Sequence, residues 1–381
     1  MDVFITDLGA FLPNAPVSNE QMEEILGMVS QLPSRTRRII LRNNRISNRH
    51  YAIDPATGRT THSNAQLTAE AIRQLHPYDG FTPADIECLA CGTSSPDQTK
   101  PGHASMVHGE LASAPCEVVS TAGVCVAGMT ALKYAWLNVA SGLVGNAVAT
   151  GSELSSTYMR AALCGDLPTR DDVDLEAQPI LAFEADFLRW MLSDGAGAAF
   201  LTSQRPTGRR ALKIDWIELV SFAHQFETCM YSGALKNADG SLTGWREFTP
   251  EESARQHIMH VKQDVKLLNS EIIPTSVDRT LPKLIDKYSL RPEQITWFLP
   301  HYSSDFFRPQ IYDHLKDIGF EIPYERWFSN LPTKGNTGSA SIYIILEELL
   351  HSGRLKQGDR LLLFVPESGR FTISYAMLTV V

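Results

Sequence analysis

The fold is decided by one stretch in the first half of the chain, which reads Thr121-Ala122-Gly123-Val124-Cys125-Val126-Ala127-Gly128-Met129. Its cysteine lies among small residues, after a β-like run at 116–120 and before a long helical pattern. Backbone N–H groups at the start of a helix favour a thiolate, and a thiolate is a good nucleophile near neutral pH. A lone cysteine is more often a small buried core residue, so further segments are needed to choose between these interpretations.

Composition argues against several classes of protein. Of the 381 residues, 43% are hydrophobic and 20% are charged, which is typical of an ordinary globular protein. The net charge of −9 argues against nucleic-acid binding, because that function needs a basic face. No apolar run is long enough to span a membrane and the N-terminus has no basic signal-peptide region, so we expect a cytoplasmic protein. Clustered metal ligands and a complete phosphate loop are absent from the sequence, and we expect no metal and no bound cofactor.

A C-x-x-C pair, Cys88 and Cys91, lies in a run that is typical of a β-strand. Redox pairs of this kind usually open a helix, and zinc sites need a second pair of ligands. Because residues i and i+3 of a strand point to opposite faces, the two sulfur atoms should diverge. We therefore predict a structural role for both cysteines.

One spacing occurs in both halves of the chain. A helical pattern closes on a Ser-Gly pair 16 residues after Cys125, and another does so 16 residues after Asn336. Each pair is followed by Gly-Asn or Gly-Asp and then by an apolar strand. Alternating strands and helices predict α/β units with parallel strands. We predict a duplicated fold with halves at 1–205 and 206–381, in which Cys125 and Asn336 meet about a pseudo-twofold axis.

A second polar loop occurs at Pro300-His301, where a hydrophobic strand ends. Cys125, His301 and Asn336 thus all lie at predicted strand ends or helix starts. A cysteine in this setting can accept an acyl group, while a neutral histidine and an asparagine amide can both donate hydrogen bonds to one carbonyl oxygen. That pair would stabilise an enolate formed from a second thioester.

Further along the chain, the pattern at 251–268 predicts one continuous helix.

Five motifs carry a family resemblance that covers nearly the whole chain. They are Ala122-Gly123-Val124-Cys125-Val126-Ala127-Gly128, Pro300-His301, Gly335-Asn336-Thr337 with Ser339-Ala340-Ser341, Asp194-Gly195-Ala196-Gly197-Ala198, and Gly358-Asp359 with its apolar strand. Together they resemble the motifs of the β-ketoacyl-ACP synthase III branch of the thiolase-like condensing enzymes. The resemblance implies a duplicated, layered αβαβα thiolase fold and, as is usual in that family, a homodimer.

The same resemblance implies a ketosynthase that uses acyl-CoA and acyl carrier protein (ACP) thioesters as substrates. Cys125 would carry the acyl group, and His301 and Asn336 would assist a Claisen condensation with a malonyl- or β-ketoacyl-ACP. The backbone N–H groups of Cys125, Ser368 and Gly369 would form the oxyanion hole for acyl transfer.

Basic residues suggest two contacts for an acidic carrier protein. Arg308 and Lys316 lie on the helix predicted after His301, where basic charge would steer such a partner. The segment 35–49 contains six arginines, which is dense for an acidic chain. For both groups, ordinary solvated surface charge is the alternative interpretation.

The chain also departs from the family pattern. Glu367-Ser368-Gly369-Arg370 replaces a common run of glycines, and Tyr302-Ser303-Ser304 replaces the usual residues after the histidine. The segments Phe183–Asp194 and Glu227–Trp245 resemble the branch that forms dialkylresorcinol or cyclohexanedione rings. Ring closure would need a base, and Glu153 and Glu367 are the carboxylates that we expect nearest the site.

Three alternatives stay open. A non-decarboxylative acyltransferase could use the same fold, although an intact Cys/His/Asn set favours condensation. Type III polyketide synthases share the three residue types, but in different local sequences. A catalytically silent partner subunit would usually lack the nucleophile, whereas Cys125 is present.

Overall fold

A nine-stranded mixed β-sheet runs through the molecule, whose computed structural model describes residues 1–28, 34, 36–161 and 188–381. The strands of the described residues are β1 (Phe4–Phe11), β2 (Val17–Ser18), β3 (Asn48–Arg49), β4 (Cys88–Thr93), β5 (Glu117–Ala122), β6 (Asn146–Glu153), β7 (Gly195–Thr202), β8 (Leu212–Ser221), β9 (Met230–Tyr231), β10 (Ala234–Lys236), β11 (Leu242–Gly244), β12 (Lys262–Gln263), β13 (Trp297–Pro300), β14 (Arg360–Glu367) and β15 (Thr372–Val380).

Helices cover the sheet. They are α1 (Met22–Leu26), α2 (Arg37–Asn44), α3 (Asn64–Arg73), α4 (His103–Leu111), α5 (Ala127–Ser141), α6 (Ser156–Met159), α7 (Pro250–Arg255), α8 (Val265–Ile273), α9 (Leu281–Tyr288), α10 (Phe307–Asp317), α11 (Leu331–Lys334) and α12 (Ser341–His351). Within the described ranges, none of the helices combines the length and the hydropathy that crossing a bilayer requires.

The strand order is mirrored about the centre of the sheet. The full order is β13-β14-β15-β8-β1-β7-β6-β4-β5. At the centre β1 and β8 pair antiparallel, and on either side two antiparallel pairings are followed by a parallel one. Two similar halves joined through β1 and β8 give this order. The division predicted at 205–206 lies in the connection between β7 and β8.

The two outer edges of the sheet differ. At one edge β5 pairs in parallel with β4 over six residues. At the other edge, β13 meets only an isolated parallel bridge between Phe298 and Trp327, and the N–H of Phe328 donates to the carbonyl of Phe298 at 2.9 Å. In the second half, a single bridge at Trp327 therefore stands where the first half has the strand β5.

Three hydrophobic clusters correspond to three layers of helices. The first contains Leu67 and Val107 of α3 and α4, on the outer face of the first half. The central cluster joins both halves, because Met129 of α5 and Leu346 of α12 belong to it. The third contains Ile311 and other side chains of α8 to α10, on the outer face of the second half. Burying each such large side chain contributes about 1.5–3 kcal/mol, so all three layers stabilise the sheet.

The two cysteines of the C-x-x-C pair lie on opposite faces of β4, as predicted. Cys88 belongs to the central cluster and Cys91 to the outer cluster of the first half, and both are free and fully buried. Burial raises the pKa of each thiol to about 12. Both cysteines are therefore inert core residues.

The continuous helix predicted over 251–268 is wrong. Helix α7 ends at Arg255, His257 adopts a left-handed backbone with φ of 49°, and β12 pairs with β9 before α8 begins. The side chain of Asp264 accepts a hydrogen bond from the N–H of Leu267 and so caps α8. The helical periodicity continues across these residues, but local capping and strand pairing divide them into three elements.

Candidate active site

Cys125 lies in the tight turn between β5 and α5. The N–H of Ala127 donates to the carbonyl of Val124 at 3.2 Å, which closes the turn around the cysteine. Val126 and Met129 are buried in the central cluster and anchor the start of α5 beneath it. The turn thus presents a partly exposed thiol from a rigid base.

Glu367, the last residue of β14, binds this turn from the second half of the chain. Its Oε2 accepts hydrogen bonds from the N–H groups of Val124 at 2.8 Å and Val126 at 2.9 Å, the two neighbours of Cys125. The Glu367 side chain is nearly buried. A carboxylate at a helix N-terminus is stabilised by the free N–H groups and by the helix dipole, so Glu367 occupies a favourable anion site.

The helix start alone does not determine the ionisation of Cys125: its backbone N–H lowers the pKa of the thiol, but other groups outweigh this effect. Burial, followed by the negative charges of Glu367 and Glu153, raises the pKa of the Cys125 thiol well above its usual value. Burial is the largest cause, and the amides of Val124 and Val126 are bound to the Glu367 carboxylate and not to the thiol. In the unliganded protein Cys125 is therefore a thiol at neutral pH.

A narrow cleft with a cavity volume of about 30 Å³, room for a water molecule or two, lies beside Cys125. Its lining residues are Cys125, Leu268, Ile272, Ile273, His301, Tyr302, Ser303, Phe307, Ile311, Pro366 and Ser368. Helices α8 and α10 supply the aliphatic wall. We did not predict these wall residues from the sequence, although the pairs Leu268/Ile272 and Phe307/Ile311 have the i, i+4 spacing of one helix face.

His301 enters the pocket from the C-terminal end of β13. Its backbone N–H donates to the carbonyl of Phe364 at 2.8 Å, which fixes the loop to β14. Burial lowers the pKa of the imidazole to about 4, so the ring is neutral at pH 7. Neither ring nitrogen is hydrogen-bonded to any residue that the structure describes. A neutral imidazole has one N–H donor, which is available here for a ligand oxygen.

Asn336 lies in the loop before α12, with its side chain buried. Its backbone N–H donates to Met191 at 3.1 Å and its carbonyl accepts from the N–H of Ser193 at 2.8 Å. The side-chain Oδ1 accepts from the N–H of Gly338 at 3.0 Å. This bond orients the amide and leaves Nδ2 without an acceptor among the described residues. Asn336 does not line the pocket that contains Cys125 and His301.

The helix starts that follow Cys125 and Asn336 touch each other, as the repeated spacing predicts. Gly128 and Ser339 each lie three residues after one of these two side chains, and a Cβ atom on Gly128 would lie 2.4 Å from the Ser339 carbonyl oxygen. The hydroxyl of Tyr343 also donates to the carbonyl of Gly128 at 2.8 Å. Only glycine allows this approach, so the small residues of the first motif bring the two halves together.

Glu153, the other carboxylate expected near the site, is fully hydrogen-bonded. It accepts from the hydroxyls of Ser94 at 2.6 Å and Ser95 at 2.8 Å, and from the N–H groups of Ser94 and Ser339, both at 3.2 Å. These bonds tie the ends of β4 and β6 to the loop that carries Asn336. Glu153 therefore stabilises the contact between the halves.

The loop predicted to complete the oxyanion hole packs against the turn of Cys125. Ser368 lines the pocket, and a Cβ atom on Gly369 would lie 3.2 Å from a methyl group of Val124. The carbonyl of Gly369 accepts from the N–H of Cys229 at 2.9 Å, which holds the loop. The backbone N–H of Cys125 donates to no other described residue and is free to bind a ligand oxygen.

The predicted basic contacts divide into buried and exposed residues. Arg49 is fully buried and Arg37 is paired with Glu23, so both are structural. The remaining described arginines of that run, Arg38, Arg42 and Arg45, are exposed, and Arg35 lies outside the described residues.

On α10, Arg308 is half-buried, with its guanidinium 4.5 Å from the ring centroid of Tyr324. Lys316 is exposed near the opposite end of the helix. Only Arg308 therefore lies beside the loop that leads to His301.

No group of three His, Cys, Asp or Glu side chains suited to hold a metal ion occurs in the described part of the chain. The pocket brings a thiol and an imidazole together, and the Glu367 carboxylate is hydrogen-bonded to the turn that carries the thiol. That set supports acyl transfer and stabilisation of an oxyanion.

Comparisons with known proteins agree with this chemistry. A family model described as "3-Oxoacyl-[acyl-carrier-protein (ACP)] synthase III C terminal" matches residues 285–376. The β-ketoacyl-[acyl-carrier-protein] synthase III of Hyphomonas neptunium is 23% identical, over 94% of this chain and 93% of that protein.

Solved structures show the same fold. AbyA1, a tetronic acid condensing enzyme, aligns with a TM-score of 0.75 at 21% identity, over 99% of both chains. The 3-oxoacyl-(acyl carrier protein) synthase III of Pseudomonas aeruginosa aligns with a TM-score of 0.70 at 20% identity, over 100% of this chain and 98% of that one. The predicted thiolase-like α/β fold is thereby confirmed. Residues 285–376 thus match the 3-oxoacyl-ACP synthase III family model, and over nearly its whole length the chain is similar to β-ketoacyl-ACP synthases III and has a thiolase-like fold.

Proposed function

We propose that the protein catalyses a Claisen condensation between an acyl group carried on Cys125 and a malonyl- or β-ketoacyl-ACP. The observation that carries this proposal is that Cys125 and a neutral, unbonded His301 line one pocket with an aliphatic wall. A nucleophile beside a hydrogen-bond donor and an aliphatic wall suits an acyl thioester.

In the first half-reaction Cys125 attacks the thioester carbonyl of an acyl-CoA or acyl-ACP. The free N–H of Cys125, with those of Ser368 and Gly369, would bind the oxyanion of the tetrahedral intermediate. The CoA or carrier thiol leaves, and the acyl chain lies against Leu268 and Ile272. Aliphatic walls select for acyl chains without charge, because a charged chain would lose its hydration there.

In the second half-reaction the extender thioester enters. The imidazole N–H of His301 and Nδ2 of Asn336 donate to its carbonyl oxygen and stabilise the enolate as CO₂ leaves or an α-proton is removed. The carbanion attacks the acyl-Cys125 carbonyl, and a longer β-keto product is released. Burial keeps the pKa of His301 low, so the neutral donor form persists across the physiological pH range.

Ring formation is the finer part of the proposal. One neighbour in fold, AbyA1, is named as a tetronic acid condensing enzyme. The segment Glu227–Trp245, which resembles the dialkylresorcinol- and cyclohexanedione-forming branch, contains β9 to β11 and leads toward the pocket wall at α8. In the second resembling segment, Phe183–Asp194, residues 183–187 lie outside the described residues. Product analysis by mass spectrometry with a β-ketoacyl-ACP donor separates a cyclic product from a linear one.

We also propose that acyl carrier protein docks where α2 meets the start of α10. Arg45 pairs with Asp305 at 3.3 Å, the carbonyl of Asn44 accepts from the N–H of Asp305, and Phe306 is 44% exposed beside them. Exposed arginines around an apolar residue suit an acidic partner. This surface adjoins the loop of His301, so a carrier arm bound there needs to span only a short distance.

A homodimer is proposed from the open edge of the sheet. Strand β5 pairs with β4 on one side and with no strand on the other side among the described residues. An unpaired edge of six residues is a template for pairing with a second copy. Light scattering of the purified protein tests the stoichiometry.

A cytoplasmic location and the absence of a bound cofactor stay predictions of the sequence.

The deciding experiment is intact-protein mass spectrometry after mixing with acyl-CoAs and acyl-ACPs. Wild-type protein should gain the mass of the acyl group, and Cys125→Ala should gain none. Asn336→Ala should form the same adduct yet lose condensation by about 10²–10³-fold, the cost of one oxyanion donor. The absence of a wild-type adduct from every donor would overturn the proposal. Adduct formation by both variants would contradict the role given to Cys125.

A further inference from the structure

The buried carboxylate of Glu367 has one hydrogen-bonded oxygen and one free oxygen. Oε2 holds the N–H groups on both sides of Cys125, at 2.8 and 2.9 Å. Oε1 accepts no hydrogen bond from any residue of the described ranges. A carboxylate oxygen without a partner can accept a proton when it comes within hydrogen-bond reach of the donor.

Glu367 lies between two residues that line the pocket. Pro366 and Ser368, its chain neighbours, are part of the same wall as Cys125. The two hydrogen bonds of Oε2 fix the carboxylate relative to the turn, since they bind residues 124 and 126 and so bracket the cysteine. The carboxylate is thereby fixed on the turn that carries the thiol, and its second oxygen has no hydrogen bond from the described residues.

Other acceptors around the thiol are less suitable. Glu153 already accepts four hydrogen bonds. His301 faces the same pocket, but burial lowers its pKa to about 4 and makes it a weak base.

We propose that Glu367 is the proton acceptor of Cys125 in enzyme acylation, an inference that rests on the proposed function. As the thioester binds, the Sγ–H proton passes to Oε1, and Sγ bonds to the thioester carbonyl carbon. The bond from that carbon to the CoA or carrier sulfur then breaks, and Glu367 returns the proton to the departing sulfur. Thiol and thioester are exchanged for acyl-cysteine and free thiol, with no change in oxidation state.

Electrostatics agree with this assignment. Burial is the main cause that raises the pKa of the Glu367 carboxyl, and the charge of Glu153 adds to it. The charge of Glu367 in turn raises the pKa of the Cys125 thiol. Thiolate and carboxylate cannot both be charged at low cost in this site, so one negative charge is shared between them.

The test compares two reactions of Cys125 in Glu367→Gln and Glu367→Asp. The glutamine oxygen can still accept from Val124 and Val126, but it cannot take a proton. Acyl adduct formation at pH 7 should fall about 10²–10⁴-fold in Glu367→Gln, the usual contribution of a general base. Alkylation of Cys125 by iodoacetamide, followed on its own peptide, should be as fast or faster and should shift to lower pH, because the repelling charge is gone. Glu367→Asp should retain measurable acylation.

Three results would overturn the inference. The first is acylation of Glu367→Gln at the wild-type rate. The second is a parallel loss of acylation and alkylation, because that pattern means that Glu367 only shapes the turn. The third is equal loss in Glu367→Asp and Glu367→Gln. A wild-type protein that forms no adduct would instead refute the proposed function itself, and with it this inference.

Discussion

Gly151→Ala tests whether close contact between the halves is needed for condensation. A Cβ atom on Gly151 would lie 2.2 Å from the Ser339 carbonyl oxygen and 3.1 Å from the Tyr343 ring, whereas ordinary contacts begin near 3.4 Å. The turn at Ser339 must therefore retreat by about 1.2 Å, and Asn336, three residues earlier, moves with it. A displacement of about 1 Å at a reacting group costs roughly 10²-fold in rate.

We expect condensation to fall about 10²-fold in this variant, while acylation of Cys125 stays near the wild-type rate. Overpacking costs about 1–3 kcal/mol, and a chain of this length has a large unfolding entropy, so the melting temperature should fall by only about 1–4 °C. Rapid-quench measurement of the two half-reactions and differential scanning calorimetry check both numbers.

The matched control is Gly109→Ala, since a Cβ atom on Gly109 in α4 would meet nothing within 4 Å. It should be neutral or stabilise the protein by up to about 1 kcal/mol. Wild-type condensation and an unchanged melting temperature in Gly151→Ala would refute the argument, because Ser339 could then yield without moving Asn336.

Two further predictions concern pH and the carrier protein. Burial lowers the pKa of His301 in the folded protein to about 4, so between about pH 6.5 and 4 the unfolded chain binds more protons than the folded one. The free energy of unfolding should therefore fall by roughly 3 kcal/mol as pH drops through that window. His301→Asn should flatten this part of a urea-unfolding pH profile, and an unchanged slope would contradict the role of burial. Arg42→Glu on α2 and Arg45→Glu just after it reverse two exposed charges. They should raise the KM for acyl-ACP about tenfold or more and leave the KM for acyl-CoA nearly unchanged. Lys316→Glu, near the far end of α10, is the matched control, and an equal effect of this control would place the docking surface elsewhere.

The parts of the site that the sequence predicts depend on local patterns. The turn of Cys125 is recognisable because a strand, small residues and a helix follow one another within a few residues. The contact with the Asn336 loop follows from the equal 16-residue spacing, since duplicated units place corresponding helix starts together. The divergence of Cys88 and Cys91 follows from strand geometry alone.

The parts that the sequence does not predict depend on distant residues. Glu367 binds residues 124 and 126 across more than 240 positions, and no local pattern specifies that its carboxylate takes the amides that would otherwise favour a thiolate. The same holds for the pocket wall. The periodicity of α8 shows an apolar face, but only tertiary packing decides that this face lines a cavity instead of the core.

The unequal edges of the sheet limit how copies of this chain can associate. A strand of six residues lies open at one end, while the other end is occupied by the Trp327 bridge, with Arg354 over the rings of Trp297 and Phe328. Growth of a continuous sheet needs two open ends on every subunit. Because only one edge of each copy is open among the described residues, the proposed pairing through β5 would end after two copies and would not extend into a fibre.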